Sequence, residues 1–236
     1  MLIAARASFA ISRAKRWTNP YVTDGLIAMW DAEWNAGPGV HDVSAGWVDI
    51  IGGRNFTFVG TPTFGDKSVT FNAGSNYAHT QLTAATVALI SGGYTDEMLI
   101  LNKPTYSSST LNGVFGISKS GVLTPSGLTS CNIRSTNGNV GNASINPYNL
   151  VTLRNQGEGG SLYISSNAAN TKTFNGYSIK SADTTATGIT INRRESYSGY
   201  GLAKLVVGCR RIYSRVITAA EMSANYAIDK ARFNLS

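Results

Sequence analysis

Short apolar or alternating runs recur along the chain, broken by clusters of Gly, Pro and Asn. Leu26 to Trp30, Asn55 to Val59, Ser68 to Phe71, Glu97 to Leu101, Val114 to Ile117, Leu150 to Leu153, Leu162 to Ile164, Gly188 to Ile191 and Leu205 to Tyr213 are each of strand length. Side chains alternate between the two faces of a strand, so such runs bounded by turn residues predict strands with one buried face. Long patterns at helical period are nearly absent, which removes the α/β folds and leaves an all-β sandwich or barrel. One helix is predicted at the end, over 218–233. Thr218 and Glu221 make a T-x-x-E capping box, and Ile217 with Met222 occupy the hydrophobic-staple positions around it. Met222, Tyr226 and Phe233 then fall on one stripe, the pattern of a helix packed on the sandwich rather than of a site.

Composition agrees with many tight turns: the 236 residues include 25 glycines, and only 14% are charged against 42% hydrophobic. A β-sandwich of this length forms around a single core, so the expected organisation is an arm and linker over 1–20 and a sandwich over 21–236, with Pro20 marking the break after Asn19. No run approaches the roughly 20 apolar residues that span a bilayer. Cys131 and Cys209 are compatible with one disulfide or with two free thiols.

The net charge of +7 changes meaning once it is located. Arg6, Arg13, Lys15 and Arg16 carry four of those charges ahead of the first acid, Asp24, so the excess is largely a basic arm and the sandwich has no nucleic-acid character. Arg6 interrupts the apolar stretch that a secretory signal needs. A transit peptide, a basic amphipathic membrane helix and a disordered tail are the other readings of such a terminus. An ordered arm of this kind needs a surface to lie on, which is either an assembly partner or its own domain. Arg6, Phe9, Arg13, Lys15, Arg16 and Trp17 are therefore the expected partner-binding residues.

The stretch RIYSRVITAAEMSANYAIDKARF, Arg211 to Phe233, resembles the closing strand and helix of concanavalin A-like, laminin-G-like domains, which read roughly R-I-Y-N-R-A-L-T-A-A-E-I. DGLIAMWDAEWNAGPGVHD (Asp24 to Asp42), WVDIIGG (Trp47 to Gly53) and SVTFNAGSNYAHT (Ser68 to Thr80) resemble the first strands of that family. The middle, from about Leu82 to Ile191, is similar only in texture. The resemblance implies an all-β, two-sheet antiparallel jelly-roll sandwich with one C-terminal helix. The opening and ending also resemble variants found in gut bacteria and their phages. This architecture hosts lectins, glucanases, adhesion modules and virion proteins alike, so function has to be argued from residues.

Glycosidases of this architecture resemble one another in an E-x-D-x-x-E strand, since retaining hydrolysis needs two carboxylates about 5 Å apart across the scissile bond. That spacing does not occur; Asp31 and Glu33 in WDAEW are the close pair, expected to serve a rim or ion-binding role. His41 and His79 are the only histidines and no C-x-x-C exists, which excludes a three-histidine zinc site. No cofactor is expected. The resemblance does allow calcium on the rim, with Asp24, Asp31, Asp42 or Asp49 as ligands, against the plainer reading of turn-capping aspartates. His41 lacks a G-x-S-x-G nucleophile and reads as a turn residue, and Gly157 to Gly160 lacks the Lys-Ser/Thr and helix of a phosphate cradle.

Sugar binding needs aromatic faces for pyranose C–H surfaces, with amides or carboxylates fixing the hydroxyls. Trp34, Asn76, Tyr77, Tyr106, Tyr197 and Tyr200 are the candidates, although a tyrosine in a Gly/Ser-rich loop also serves simply to cover the end of a sandwich. Arg193, Arg194, Arg210, Arg211 and Arg215 suggest a basic edge near the last strands, protective or partner-binding. Two functions follow as expectations. One is a non-catalytic glycan-binding or adhesion module of a phage virion or cell-surface assembly. The other is a purely structural virion protein, a head decoration or tail component, anchored by residues 1–17 and oligomeric in its assembly.

Overall fold

The alternating runs resolve, in the computed structural model, into two antiparallel sheets with a shared interior and a C-terminal helix on the outer face of one. The structure describes residues 17–72, 76–81, 83, 85, 92–102, 115–117, 121–126, 130–135, 138–144, 149–155, 162–166, 169–174, 188–192 and 204–235. The first sheet contains β1 (Leu26–Asp31), β3 (Thr63–Gly65), β4 (Ser68–Phe71), β6 (Tyr94–Ile100), β11 (Asn149–Asn155), β12 (Leu162–Ser166), β13 (Ala169–Phe174) and β15 (Leu205–Tyr213). Its order is β13-β12-β11-β6-β15-β4-β3, with β1 also paired to β15. The second sheet runs β10 (Gly138–Ser144), β9 (Ser130–Ser135), β8 (Gly121–Ser126), β7 (Phe115–Ile117), β14 (Gly188–Ile191), β5 (Tyr77–Gln81) and β2 (Thr57–Val59).

β15 organises the first sheet. One edge pairs with β6, while the other pairs with β4 at its start, Leu205 opposite Phe71, and with β1 at its end, Tyr213 opposite Leu26. A register shift between Val207 and Cys209 changes which residues face inward. Leu205 and Val207 join the core before the shift and Ile212 after it, on the same face as Arg210. Cys209, Arg211 and Tyr213 therefore face outward. Gly208 sits at the shift because a Cβ there would lie 2.7 Å from Phe233 Cε1 and 2.9 Å from Leu99 Cδ2.

Aromatic side chains fill the interior. Trp30 lies 4.4 Å from Phe56 between ring centres, Trp47 lies 5.6 Å from Phe56, and Phe58 links Phe64 and Phe71. Ala78, Ile189 and Ile191 close this core from the second sheet. An ion pair shares the interior: Arg210 Nε donates to Asp96 Oδ1 at 2.9 Å and Nη2 donates to Oδ2, both residues fully buried.

The helix, α1 (Ala219–Phe233), is capped as its sequence predicts. Thr218 accepts from Glu221 N at 3.2 Å, the Glu221 carboxylate accepts from Thr218 N at 2.8 Å, and Ile217 packs with Met222 and Tyr213. Met222, Tyr226 and Phe233 do pack on the sheet, yet Asn225 and Asp229 are fully buried beside them. They meet a polar patch on the outer face of the sheet. Arg211 donates to Glu97 Oε2 at 3.0 Å and to both oxygens of Asp229 at 2.9 and 2.7 Å, and Asn225 Nδ2 donates to Glu97 Oε2 at 2.8 Å.

This corrects the basic-edge reading. Arg210 and Arg211 lie in a central strand, fully buried and paired on opposite faces, while Arg215 binds Asp24 and Glu221. Arg193 and Arg194 lie outside the described residues. Cys209 is a free buried thiol, so the disulfide alternative falls.

A candidate ligand groove at the root of the N-terminal arm

The end of β1 turns sharply, and that turn builds the groove. Asp31 Oδ1 accepts from Glu33 N at 3.0 Å and Asp31 O from Trp34 N at 3.2 Å, which throws Glu33 and Trp34 onto the rim. Buried Asn35 braces the next loop by donating to Asp42 O and Gly46 O and accepting from Asp42 N. Within that loop Gly39 has φ +72°, a conformation suited to glycine, and its missing Cβ leaves room for Trp17 Cδ1, which would stand 3.0 Å from a Cβ.

Trp17 and Trp34 meet edge to face, 5.2 Å between ring centres at 83°. By sequence one belongs to a partner-binding arm and the other to a glycan site; the fold brings them together. Arg232, in the last turn of α1, lies 3.6 Å above the Trp34 ring. Its Nη1 donates to Asp31 Oδ2 at 2.7 Å and to Tyr21 Oη at 2.6 Å, and its Nη2 to Asp31 Oδ1 at 3.0 Å and Glu33 Oε2 at 2.6 Å. Lys67, in the turn between β3 and β4, donates to Arg232 O at 2.8 Å and pairs with Glu33 Oε1 at 3.2 Å. Trp17, Thr18, Pro20, Glu33, Trp34, Gly39, Lys67 and Arg232 line a shallow groove of about 510 Å³, with Asp31 buried beneath it.

The two acids of WDAEW are electrostatically different. Burial pushes the Asp31 carboxyl up, opposed by the hydrogen bonds and charge of Arg232. Glu33 is only partly buried, and there the Arg232 and Lys67 contacts outweigh the burial and hold its carboxyl below the usual range. Glu33 is thus a fixed, ionised acceptor, while Arg232 is pushed well above its ordinary value by Asp31 despite its own burial. Both acids share one guanidinium rather than facing each other across an opening.

Asn76 and Tyr77 lie elsewhere. Asn76 Oδ1 accepts from Thr61 N at 2.8 Å beside Gly60, and its backbone carbonyl accepts from Asn192 Nδ2, so it clasps a turn. Tyr77 is half-buried on β5, with its ring 5.8 Å from His79. Tyr106, Tyr197, Tyr200, Arg6, Phe9, Arg13, Lys15 and Arg16 lie outside the described residues. The four aspartates considered for calcium are dispersed. Asp24 pairs with Arg215, Asp31 with Arg232, and Asp42 caps Ser44. Asp49 gathers the backbone N–H groups of Met29, Ile51, Gly52 and Arg54. Among the described residues no group of three or more His, Cys, Asp or Glu is placed to hold a metal ion. His41 Nδ1 lies 3.0 Å from Ala32 O, within its loop.

Lys67 and Arg232 were not foreseen as site residues. Lys67 reads as a hairpin turn residue and Arg232 as a favourable charge at a helix C-terminus, so neither carries a local signal of its role.

No family model matches the chain, and no curated protein matches it. Solved structures do. A Trypanosoma rangeli sialidase in complex with a 2,3-difluoro-KDN has a TM-score of 0.66 at 10% identity over 87% of this chain and 33% of that one. The binding domain of botulinum neurotoxin DC in complex with SialylT has a TM-score of 0.61 at 10% identity, over 87% of this chain and 52% of that one. Botulinum neurotoxin type C, which depends on two ganglioside molecules to enter cells, has a TM-score of 0.63 at 12% identity, over 86% and 51%. The chain spans a third of the sialidase and about half of the toxin binding domains. These likenesses establish the β-sandwich fold.

Proposed function

We propose that this chain is a glycan-binding module of the concanavalin A-like, laminin-G-like type that holds its ligand without cleaving it. Its proposed setting is the surface of a phage virion or bacterial cell, as an adhesion component. The observation that carries the reading is the groove in which Trp17 and Trp34 stand beside Glu33, Lys67 and Arg232. Saccharides offer apolar C–H faces to indole rings and hydroxyls to fixed charged groups, and about 510 Å³ falls within the roughly 300–1,000 Å³ of small-molecule sites. The non-catalytic part is supported by the shared Arg232, since most glycoside hydrolases place two carboxylates on opposite sides of the bond. Sialidase and toxin binding domains have the same fold, so the groove rather than the likeness carries the argument.

Glycan-array screening followed by calorimetric titration tests the reading. Trp34→Ala is expected to weaken whatever glycan binds the wild type at least tenfold. An array with no bound glycan, or full affinity in that variant, refutes it.

One observation favours the structural alternative. Trp17, the last residue of the arm, is seated on Gly39 and Trp34, which fixes the root of the arm. Deleting residues 1–16 keeps the groove lining and is expected to abolish incorporation into the parent assembly; unchanged incorporation rejects an anchoring role.

A further inference from the structure

Resting on the glycan reading of the groove, we infer that its ligand is a neutral saccharide, recognised by a hydroxyl placed between Glu33 and Lys67, and that carboxylated sugars are excluded. Charge in and beneath the groove is balanced. Arg232 and Lys67 supply two cations, Asp31 and Glu33 supply two carboxylates, and every one of them is paired within the group. Arg232 has little left to offer a ligand: its two terminal nitrogens already serve Asp31, Glu33 and Tyr21, and its plane lies on Trp34.

The accessible polar pair is Glu33 and Lys67, 3.2 Å apart. Lys67 keeps a third N–H beyond those directed at Arg232 O and Glu33, and Glu33 is ionised and therefore accepts only. An adjacent donor and acceptor of this kind match a hydroxyl, which donates to the carboxylate and accepts from the ammonium at once. A ligand carboxylate accepts only, so near Lys67 it competes with Glu33 for one ammonium and meets like charge at close range. The sialylated ligand of a structural neighbour is thus a poor guide to this groove.

The test compares matched sugars on the intact chain. Array hits are titrated calorimetrically in neutral form and with a carboxylate added, for example lactose against sialyllactose, and oligogalacturonides against their methyl esters. The wild type is expected to bind neutral members at least tenfold tighter than the acidic partner. Lys67→Met is expected to lose about tenfold on the neutral ligand, and Glu33→Gln, which frees the Lys67 charge, to narrow or invert the preference. Thermal unfolding of each variant separates loss of fold from loss of recognition, and a Glu33→Gln chain that unfolds leaves Lys67→Met to decide. Equal or tighter wild-type binding of the acidic members overturns the inference while leaving glycan binding intact. Absence of binding to every member overturns the reading on which it rests.

Discussion

Arg211→Met is the sharpest perturbation of this molecule. Arg211 is fully buried between sheet and helix, and its guanidinium serves Glu97 and Asp229 together, with Cys209 Sγ 3.3 Å from Nη1 and the Tyr21 ring 4.1 Å from Cζ. Removing it leaves two buried carboxylates without a cation. Their remaining donors are neutral: Asn225 and Thr152 on Glu97, and the Tyr21 hydroxyl and Cys209 thiol on Asp229. Breaking a buried pair costs about 3–5 kcal/mol, and one cation serving two acids puts this case at the upper end. At roughly 2–4 °C per kcal/mol for a chain of this size, Tm falls by roughly 10–20 °C.

The cost depends on pH. Burial already raises the Glu97 carboxyl, with Arg211 opposing and Asp229 reinforcing, so loss of Arg211 raises it further. A raised carboxyl favours the folded state below the unfolded value and loses that contribution as pH rises through the folded one. The deficit of Arg211→Met is therefore greatest at neutral pH and shrinks on acidification towards 4.5. Adding Glu97→Gln and Asp229→Asn to Arg211→Met removes the orphaned charges and restores most of the loss. Urea midpoints from pH 4.5 to 8, with calorimetry at neutral pH, measure all of this. A single-variant cost below about 1 kcal/mol, or a triple variant no better than the single, refutes the reasoning.

Two further outcomes follow from the same helix and strand. Glu221 is held down to about 2 chiefly by its hydrogen bonds to Arg215, so its contribution is present above 4.5 and fades as pH falls towards 2. Glu221→Gln, which keeps a capping acceptor and loses the half-exposed ion pair, is expected to cost up to about 1 kcal/mol at neutral pH, and a gap from wild type that persists at pH 2 contradicts this. Cys209 is a buried thiol pushed well above its ordinary value by burial. In a Cys131→Ser background it should not react with a thiol reagent at pH 8 until urea unfolds the chain; rapid native labelling shows the helix does not cover it.

Legibility from sequence was uneven for physical reasons. Strands with strong apolar character, β4, β14 and β15, appear with the ends the pattern predicts, and Thr218, Glu221, Ile217 and Met222 announce the start of α1 because capping chemistry is local. β10 and β13 were missed, since GNVGNAS and ANTKTF are largely polar on both alternations, and β9 because Cys131 and Ile133 are the only apolar residues of SCNIRS. The groove was half legible: Trp17, Trp34 and the WDAEW acids stood out by type, whereas their convergence depends on Arg232, 201 residues from Asp31 along the chain. Arg210 and Arg211 were misread because a charged pair in a strand looks like an edge. Their partners Asp96 and Glu97 lie on β6, and nothing in local sequence couples the two strands.

The same long-range pairing explains why the groove holds one shape. Five segments converge there: residues 17–21, the turn after β1, the loop that holds Gly39, the β3–β4 turn, and the last turn of α1. Apolar contact alone lets a helix slide on a sheet, but Asp229 on Arg211 and Arg232 on Asp31 are satisfied in one register, a turn apart on the same helix. Arg232 does this through its planar, forked donors, which reach two carboxylates and a phenol while stacking on Trp34. Arg232→Lys keeps the charge and removes the fork and the plane. It should therefore cost about 2 kcal/mol and weaken ligand binding with it, whereas Lys67→Met breaks an exposed pair and costs about 0–1 kcal/mol. Equal urea midpoints for the two variants mean that the charge of Arg232, and not its geometry, holds the helix to the groove.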